Sequence, residues 1–127
     1  MTRLHLALPH APQAAGDARR EVGDRVRSAW PHLTGLDELV DDVRLVTSEI
    51  VANAIRHGEP PLDLDLELVR LDGLHRVVLT CRDGGPWDGT EPSPSGGRGL
   101  IIVHALCTRV DIVADERQTT VTATLER

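Results

Sequence analysis

The sequence predicts a two-layer α/β sandwich, an α+β arrangement in which about three helices cover one face of a mixed, mostly antiparallel sheet. Two periodicities lead to this prediction. Apolar and polar residues alternate in several short segments, as in half-buried strands, and apolar residues recur every three to four positions in longer segments, as in amphipathic helices. The 127 residues are enough for one sizeable core, so we expect a single domain spanning residues 1–127.

The N-terminal half supplies one strand and two helices. Residues 3–8 alternate leucine with other side chains, which indicates a strand that ends at Pro9. Small apolar residues recur at helical spacing from Ala14 to Trp30. A second helix is predicted from about Leu36 to Ile55, with Gly58 placed to end it.

The C-terminal half supplies most of the sheet. The predicted elements are an antiparallel hairpin of residues 62–68 and 77–81 that turns at Asp72 and Gly73, a short third helix at residues 100–106, and closing strands at residues 109–114 and 119–125. Helices between strands suggest that one sheet face is covered and that the other is left for a partner.

The composition excludes several classes of function. Acidic residues outnumber basic ones by 20 to 14, and the basic residues are scattered, so nucleic acid is not an expected partner. All basic residues are arginine, which excludes a P-loop lysine. No apolar run is long enough to span a membrane. Cys81 and Cys107 lack metal-site spacing, which favours free thiols over a disulfide or metal pair and suits a cytoplasmic protein.

The segment SEIVANAIRHG, residues 48–58, places polar side chains along a helix that also carries apolar ones. Glu49, Asn53 and His57 are four residues apart and therefore share one helix face. An amide oxygen suits Mg²⁺, so Asn53 is a candidate metal ligand, and Glu49 is a candidate general base for phosphoryl transfer. A solvated helix face explains the spacing equally, with His57 capping or packing against the helix end.

The segment RDGGPW, residues 82–87, follows a predicted strand. Asp83 is placed to accept a hydrogen bond from an adenine amino group, and Gly85 lets the backbone approach the ring. A tight turn without a ligand is the alternative. Trp87 fits a core position and a lid position equally.

The segment GGRGLIIV, residues 96–103, places glycines directly before an apolar helix start. Backbone N–H groups at the positive end of a helix bind anions. We therefore expect Gly97, Arg98, Gly99 and Leu100 to contact the nucleotide. Arg98 could reach a terminal phosphate or pair with an acidic partner protein, and a flexible hinge is the simplest alternative. The order of all three segments makes a nucleotide site the better interpretation.

From about Leu36 to the C-terminus, this order resembles the N box and two glycine boxes of the GHKL (Bergerat-fold) ATPase superfamily. SEIVANAIRHG, RDGGP and GGRGL are similar to segments of the bacterial anti-sigma-factor serine/threonine kinases. The resemblance implies that Glu49 is the catalytic base, Asn53 the magnesium ligand and Asp83 the adenine-binding carboxylate. It also places Gly85, Gly97 and Gly99 in the glycine boxes and Thr120, or alternatively Thr119, beside the adenine pocket.

The resemblance implies a cytoplasmic, homodimeric switch that uses ATP and Mg²⁺. Such a protein binds a sigma factor and phosphorylates a serine of an anti-anti-sigma partner of the STAS type. The chain departs from the superfamily's DxGxG pattern, because Trp87 replaces the last glycine and Pro86 precedes it. Two alternatives remain: a regulatory binding module without kinase activity, and an unliganded protein whose glycines serve as turns.

Overall fold

The computed structural model describes the backbone of residues 1–86 and 98–127 and the side chains of residues 1–86 and 100–127. The elements in chain order are β1 (Thr2–Leu8), α1 (Gln13–Ala29), α2 (Leu36–His57), β2 (Leu62–Leu71), β3 (Leu74–Asp83), α3 (Arg98–Leu106), β4 (Arg109–Ala114) and β5 (Thr119–Glu126). The strands form one sheet in the order β1-β2-β3-β5-β4. This α+β sandwich confirms the predicted fold class, and each predicted element is present with ends that agree to within a few residues.

All four strand pairs in the described sheet are antiparallel, in agreement with the mostly antiparallel sheet that was predicted but without its expected parallel component. The two helices between β1 and β2 return the chain to the end where β1 finished, so Leu62 pairs with Leu8. Because the single helix α3 connects β3 to β4, β4 runs in the same direction as β3. The last strand, β5, lies between them and pairs antiparallel with both, so no parallel pair forms.

The sheet has one apolar and one polar face because apolar and polar side chains alternate along its strands. On β2, Leu62, Leu64, Leu66 and Leu68 are buried against the helices. The largest fully buried side chains of the core are Leu39, Ile50, Leu64, Leu66, Leu68, Leu79 and Leu125. We call the other side the open face; it carries Arg3, His5, Asp63, Asp65 and Arg82, among others.

The two ends of the sandwich carry different parts of the chain. At one end, Asp72 and Gly73 form the β2–β3 turn, with φ of 50° and 83°, as the predicted hairpin requires. Both termini lie at this end: Thr2 pairs with Leu68, and the Arg127 N–H donates to the His75 carbonyl over 2.9 Å. At the other end, the last residues of β3 and α2 meet the first residues of β2 and β5.

Among the helices described, none has the length and apolar character needed to cross a membrane.

Candidate functional site

The last turns of α2 place polar side chains at the border of the core. Glu49 and Asn53 are half-buried, and His57 at the helix end is exposed. Ile50 and Ala54, the residues that come directly after Glu49 and Asn53, are buried and hold this part of the helix against its neighbours. The Cβ atoms of residues four apart on a helix lie about 5–6 Å apart. The carboxylate of Glu49 and the amide of Asn53 therefore lie side by side in a partly solvent-exposed region.

The chain leaving α2 is bonded to the chain leaving β3. The Gly58 N–H donates to the Ala54 carbonyl over 2.8 Å and closes the helix. The Gly84 N–H then donates to the Glu59 carbonyl over 2.7 Å. A side chain at Gly84 would also collide with the backbone of Pro60. These contacts join the end of the helix that carries Glu49 and Asn53 to the turn after Asp83.

Asp83 is a buried carboxylate with unused hydrogen-bonding capacity. It is 7% exposed, and the Gly85 N–H donates to its Oδ1 over 2.8 Å. Within residues 1–86 and 100–127, no basic side chain forms an ion pair with it. A carboxylate has about four acceptor positions, so it can still receive a donor from a ligand.

Burial is the main influence on the pKa of Asp83, and it raises the pKa above the ordinary value of 3.8. The backbone N–H groups of Gly85 and Glu59 and the nearby His10 act in the opposite direction but do not cancel this effect. A carboxylate that carries a desolvation cost gains more from an additional donor than a solvated one does.

Gly85 brings the backbone close to the end of α2. A Cβ at this position would lie 3.0 Å from the Glu59 nitrogen and 3.3 Å from Oδ1 of Asp83. The backbone at Gly85 therefore lies close to the chain after α2. Its close approach to an adenine ring stays a prediction.

The structure separates the two candidate threonines of β5. Thr119 is 5% exposed, pairs with Asp83 across β3 and β5, and donates from Oγ1 to the Gly85 carbonyl over 2.8 Å. Thr120 lies on the open face, where its Oγ1 accepts from Gln118 Nε2 over 3.2 Å. Because strand residues alternate between faces, Thr119 lies at the site and Thr120 does not. Of the two candidates, this geometry favours the alternative, Thr119, over Thr120.

The second glycine segment is only partly described. Gly97 and Trp87 lie outside the described residues. The backbone of Arg98 and Gly99 begins α3, but their side-chain environment also lies outside the described part. Leu100 is 5% exposed, so its side chain packs in the core, and any contact with a ligand would have to come from its backbone.

Three contributors to the site were missed by the sequence predictions. Gly58 was expected only to end α2, but it also lies against Asp83. The Glu59 backbone bonds to the turn after β3, and the charge of His10 influences Asp83. Gly58, the glycine after SEIVANAIRH, was the one sequence signal that could have indicated these contributors. The main-chain contacts of Glu59 and the position of His10 in a loop leave no periodic pattern in the sequence.

A second group of titratable side chains lies on the open face. Ligand atoms of His5, Asp63 and Asp65 come within 4.8 Å of one another. Arg82 already supplies a positive charge there, donating to Asp63 over 3.0 Å and to Asp65. His5 Nδ1 also lies 2.6 Å from Asp65 Oδ1. The two carboxylates of this group are therefore held by Arg82 and His5 in one hydrogen-bonded network on the sheet.

The comparisons with known proteins concern nearly the whole chain. Residues 11–125 match the family model of the histidine kinase-like ATPase domain. No curated protein sequence matches the chain.

Solved structures show the same fold. The RsbU and RsbW domains of Rv1364c from Mycobacterium tuberculosis align with 24% identity and a TM-score of 0.72, covering 100% of this chain and 33% of that one. The histidine kinase AdeS of Acinetobacter baumannii aligns with 16% identity and a TM-score of 0.51, covering 98% and 68%. The EL346 blue-light activated histidine kinase of Erythrobacter litoralis aligns with 14% identity and a TM-score of 0.53, covering 87% and 60%. The chain thus spans about a third of the Rv1364c chain it matches.

Proposed function

The chain belongs to the histidine kinase-like ATPase domain (GHKL) family, and from this premise we propose that it is an ATP-dependent serine/threonine protein kinase acting as an anti-sigma-like regulatory switch. Family membership supports ATP binding and a kinase-like regulatory role. The choice of a protein hydroxyl as acceptor and the identity of the partners are part of the proposal.

The observation that carries the proposal is the buried carboxylate of Asp83. It lies beside a glycine turn that is bonded to the end of α2, and it receives no basic partner among residues 1–86 and 100–127. The 6-amino group of adenine is a hydrogen-bond donor, which such a carboxylate can accept. Thr119 stabilises the same turn through Gly85. Asp83 therefore gives the site its preference for adenine.

The residues of α2 fit the phosphate end of the nucleotide. Asn53 offers a hard amide oxygen at the edge of the core, as Mg²⁺ prefers, and Mg²⁺ usually takes only one or two protein ligands. When bound with ATP, Mg²⁺ supplies charge neutralisation at the phosphates. The helix α3 packs against α2, and its N-terminus, which begins at Arg98, offers backbone N–H groups to phosphate oxygens.

Glu49 is the proposed general base. It lies one helical turn before Asn53 on the same face and is half-buried, so its carboxylate is held near the phosphate end of the site. Its task is to accept the proton of a serine hydroxyl as that oxygen attacks the terminal phosphorus of ATP. The products are phosphoserine and ADP.

The partner proteins are proposed by analogy with the RsbW domain named above. In this proposal a cytoplasmic homodimer binds a sigma factor and is released from it by an anti-anti-sigma protein of the STAS type, which it phosphorylates. The open face of the sheet and the exposed surface of α3 are available for such contacts in the described part of the chain.

The test is transfer of labelled γ-phosphate from ATP, with Mg²⁺, to candidate anti-anti-sigma proteins. We expect label on serine with the wild type and a loss of about 10²–10⁴-fold in Glu49→Gln, the usual contribution of a general base. Glu38→Ala, an exposed carboxylate in the first turn of the same helix, is the matched control and should transfer normally. Stable complexes without transfer would show a binding module instead of a kinase.

A further inference from the structure

Gly58 lies against the carboxylate of Asp83. A Cβ placed on Gly58 would lie 2.6 Å from Oδ1 of Asp83 and 2.6 Å from the Ala54 carbonyl oxygen. A carbon atom that makes no hydrogen bond is ordinarily about 3.5–4.0 Å from its non-bonded neighbours, and a Cβ essentially never lies within 3.0 Å of them. Any side chain at this position therefore displaces either the carboxylate or the backbone of the last turn of α2.

The need for glycine at this position is spatial. Gly58 has φ −98° and ψ −171°, an extended conformation that any residue adopts. Glycines that end helices are usually selected for a left-handed conformation, which does not apply here. The missing side chain instead creates the space that the carboxylate occupies.

The surrounding bonds leave Asp83 little freedom to adjust. Its Oδ1 accepts from the Gly85 N–H over 2.8 Å, and the neighbouring Gly84 N–H is bonded to the Glu59 carbonyl over 2.7 Å. The side chain has only two rotatable bonds, and the residue is buried. A group added to Gly58 would rotate the carboxylate out of this arrangement or break the bonds around it.

We propose that Gly58 is a positioning residue for base specificity: its missing side chain lets the Asp83 carboxylate lie against the end of α2, in the orientation that accepts the amino group of a 6-aminopurine nucleotide. The inference rests on the proposed function of Asp83. It extends that function to a residue without a side chain, and it links the base-reading carboxylate to the helix that carries Glu49 and Asn53.

The first experiment compares binding of ATP and of purine riboside triphosphate, which has hydrogen in place of the 6-amino group, by calorimetric titration with Mg²⁺. Hydrogen bonds to a charged group contribute about 1.5–3 kcal/mol, so the wild type should prefer ATP by about 10- to 150-fold. In Gly58→Ala the preference should fall to within about threefold, as in Asp83→Ala. Gly16→Ala, where an added Cβ meets nothing within 4 Å, should keep it.

The outcomes separate the two proposals. A Gly58→Ala protein that binds both nucleotides more weakly but keeps the full preference for ATP overturns the positioning role and leaves Asp83 as the base reader. A wild type that binds both nucleotides equally overturns the role of Asp83, and the inference fails with it.

A second measurement requires no nucleotide and covers the case in which Gly58→Ala is too unstable to bind one. The melting temperature is compared for the wild type, Gly58→Ala, Asp83→Ala and the double variant. Because Asp83→Ala removes the atoms that the new methyl group meets, it should restore part of the melting temperature lost in Gly58→Ala. Independent, additive losses from the two substitutions would contradict the contact that carries the inference.

Discussion

At the scale of single residues, the hydrogen bond from Thr119 to Gly85 connects the first residue of β5 to the turn after β3. The bond is buried, and its acceptor is a backbone carbonyl. A buried carbonyl that loses its donor keeps its desolvation cost, about 1–3 kcal/mol. The hydroxyl of Thr119 is therefore a structural support of the turn as well as a neighbour of the proposed base-binding carboxylate.

We predict that Thr119→Val lowers the free energy of unfolding by about 1–2 kcal/mol, because it leaves the Gly85 carbonyl without its donor. Thr120→Val is the matched control: it lies one residue later on the open face, half-buried, and valine suits a strand. It should change stability by less than about 0.5 kcal/mol. Urea unfolding of the three proteins measures both values, and equal effects would contradict the assigned roles.

At the scale of elements, α2 shows why the helices were predictable and the site was only partly so. Its apolar stripe, including Val43, Val46 and Ile50, is fully buried, as the spacing predicted. The same periodicity placed Glu49 and Asn53 on one face. Periodicity carries no information about the path of the chain beyond the end of a helix, so the hydrogen bond between Glu59 and Gly84, in the turn after β3, could not be predicted.

The strands were predictable for a related reason, and the errors have physical causes. Alternation identified the buried leucines of β2, but it cannot fix which strands become neighbours, and so the position of β5 between β3 and β4 was not foreseen. Thr119 and Thr120 are adjacent, and a difference of one residue along a strand moves the side chain to the other face of the sheet. Val121 and Ala123 are both buried, and Thr119 lies two residues before Val121, on the same face of β5. The alternation within this strand would therefore have favoured Thr119 as the residue on the core face.

On the open face, β1, β2 and β3 are joined by the network around Asp65. Burial raises the pKa of Asp65, but hydrogen bonds from Arg82 and His5 outweigh it, and the net pKa lies below the ordinary 3.8. A carboxyl group whose pKa is lower in the folded state stabilises the fold above its unfolded pKa. This contribution disappears as the pH falls through the folded value.

We predict that Arg82→Gln lowers the free energy of unfolding by about 0.5–1 kcal/mol at pH 7, a small value because the pair is more than a third exposed and screened by water. The difference from the wild type should shrink as the pH is lowered below 3.8. Urea unfolding at pH 7, 5 and 3 measures it. Arg20→Gln, which removes an exposed pair on α1, should have no measurable effect, and a difference that grows toward acid would contradict the sign.

At the scale of the whole molecule, one end of the sandwich holds the candidate site and the other holds the hairpin turn and both termini. The helix α2 carries Asn53 and also packs in the core, and Asp83 ends the central strand β3. A ligand bound at Asn53 and Asp83 would therefore contact elements that unfold together. Binding to the folded state alone therefore raises the stability of the entire domain.

We predict that ATP with Mg²⁺ at 100 times its dissociation constant increases the free energy of unfolding by about 2.7 kcal/mol. Removal of Mg²⁺ with a chelator should abolish most of this increase, and Asn53→Ala should do the same. His57→Ala, an exposed residue one turn further along α2, is the control and should retain it. Thermal unfolding with each nucleotide mixture gives the result; equal stabilisation with and without the metal would remove Asn53 from its proposed role.

The position of the termini has a practical consequence for such measurements. From Val77 to Asp83 the strand rises about 3.4 Å per residue, so the site lies about 20 Å from the end where Thr2 and Arg127 are found. A tether to a sensor surface, a fluorescent reporter or a fused carrier at either terminus would therefore point away from an incoming nucleotide. Immobilisation through the chain ends should leave binding kinetics unchanged, whereas attachment through a residue of the β1–α1 loop, such as His10, should slow association.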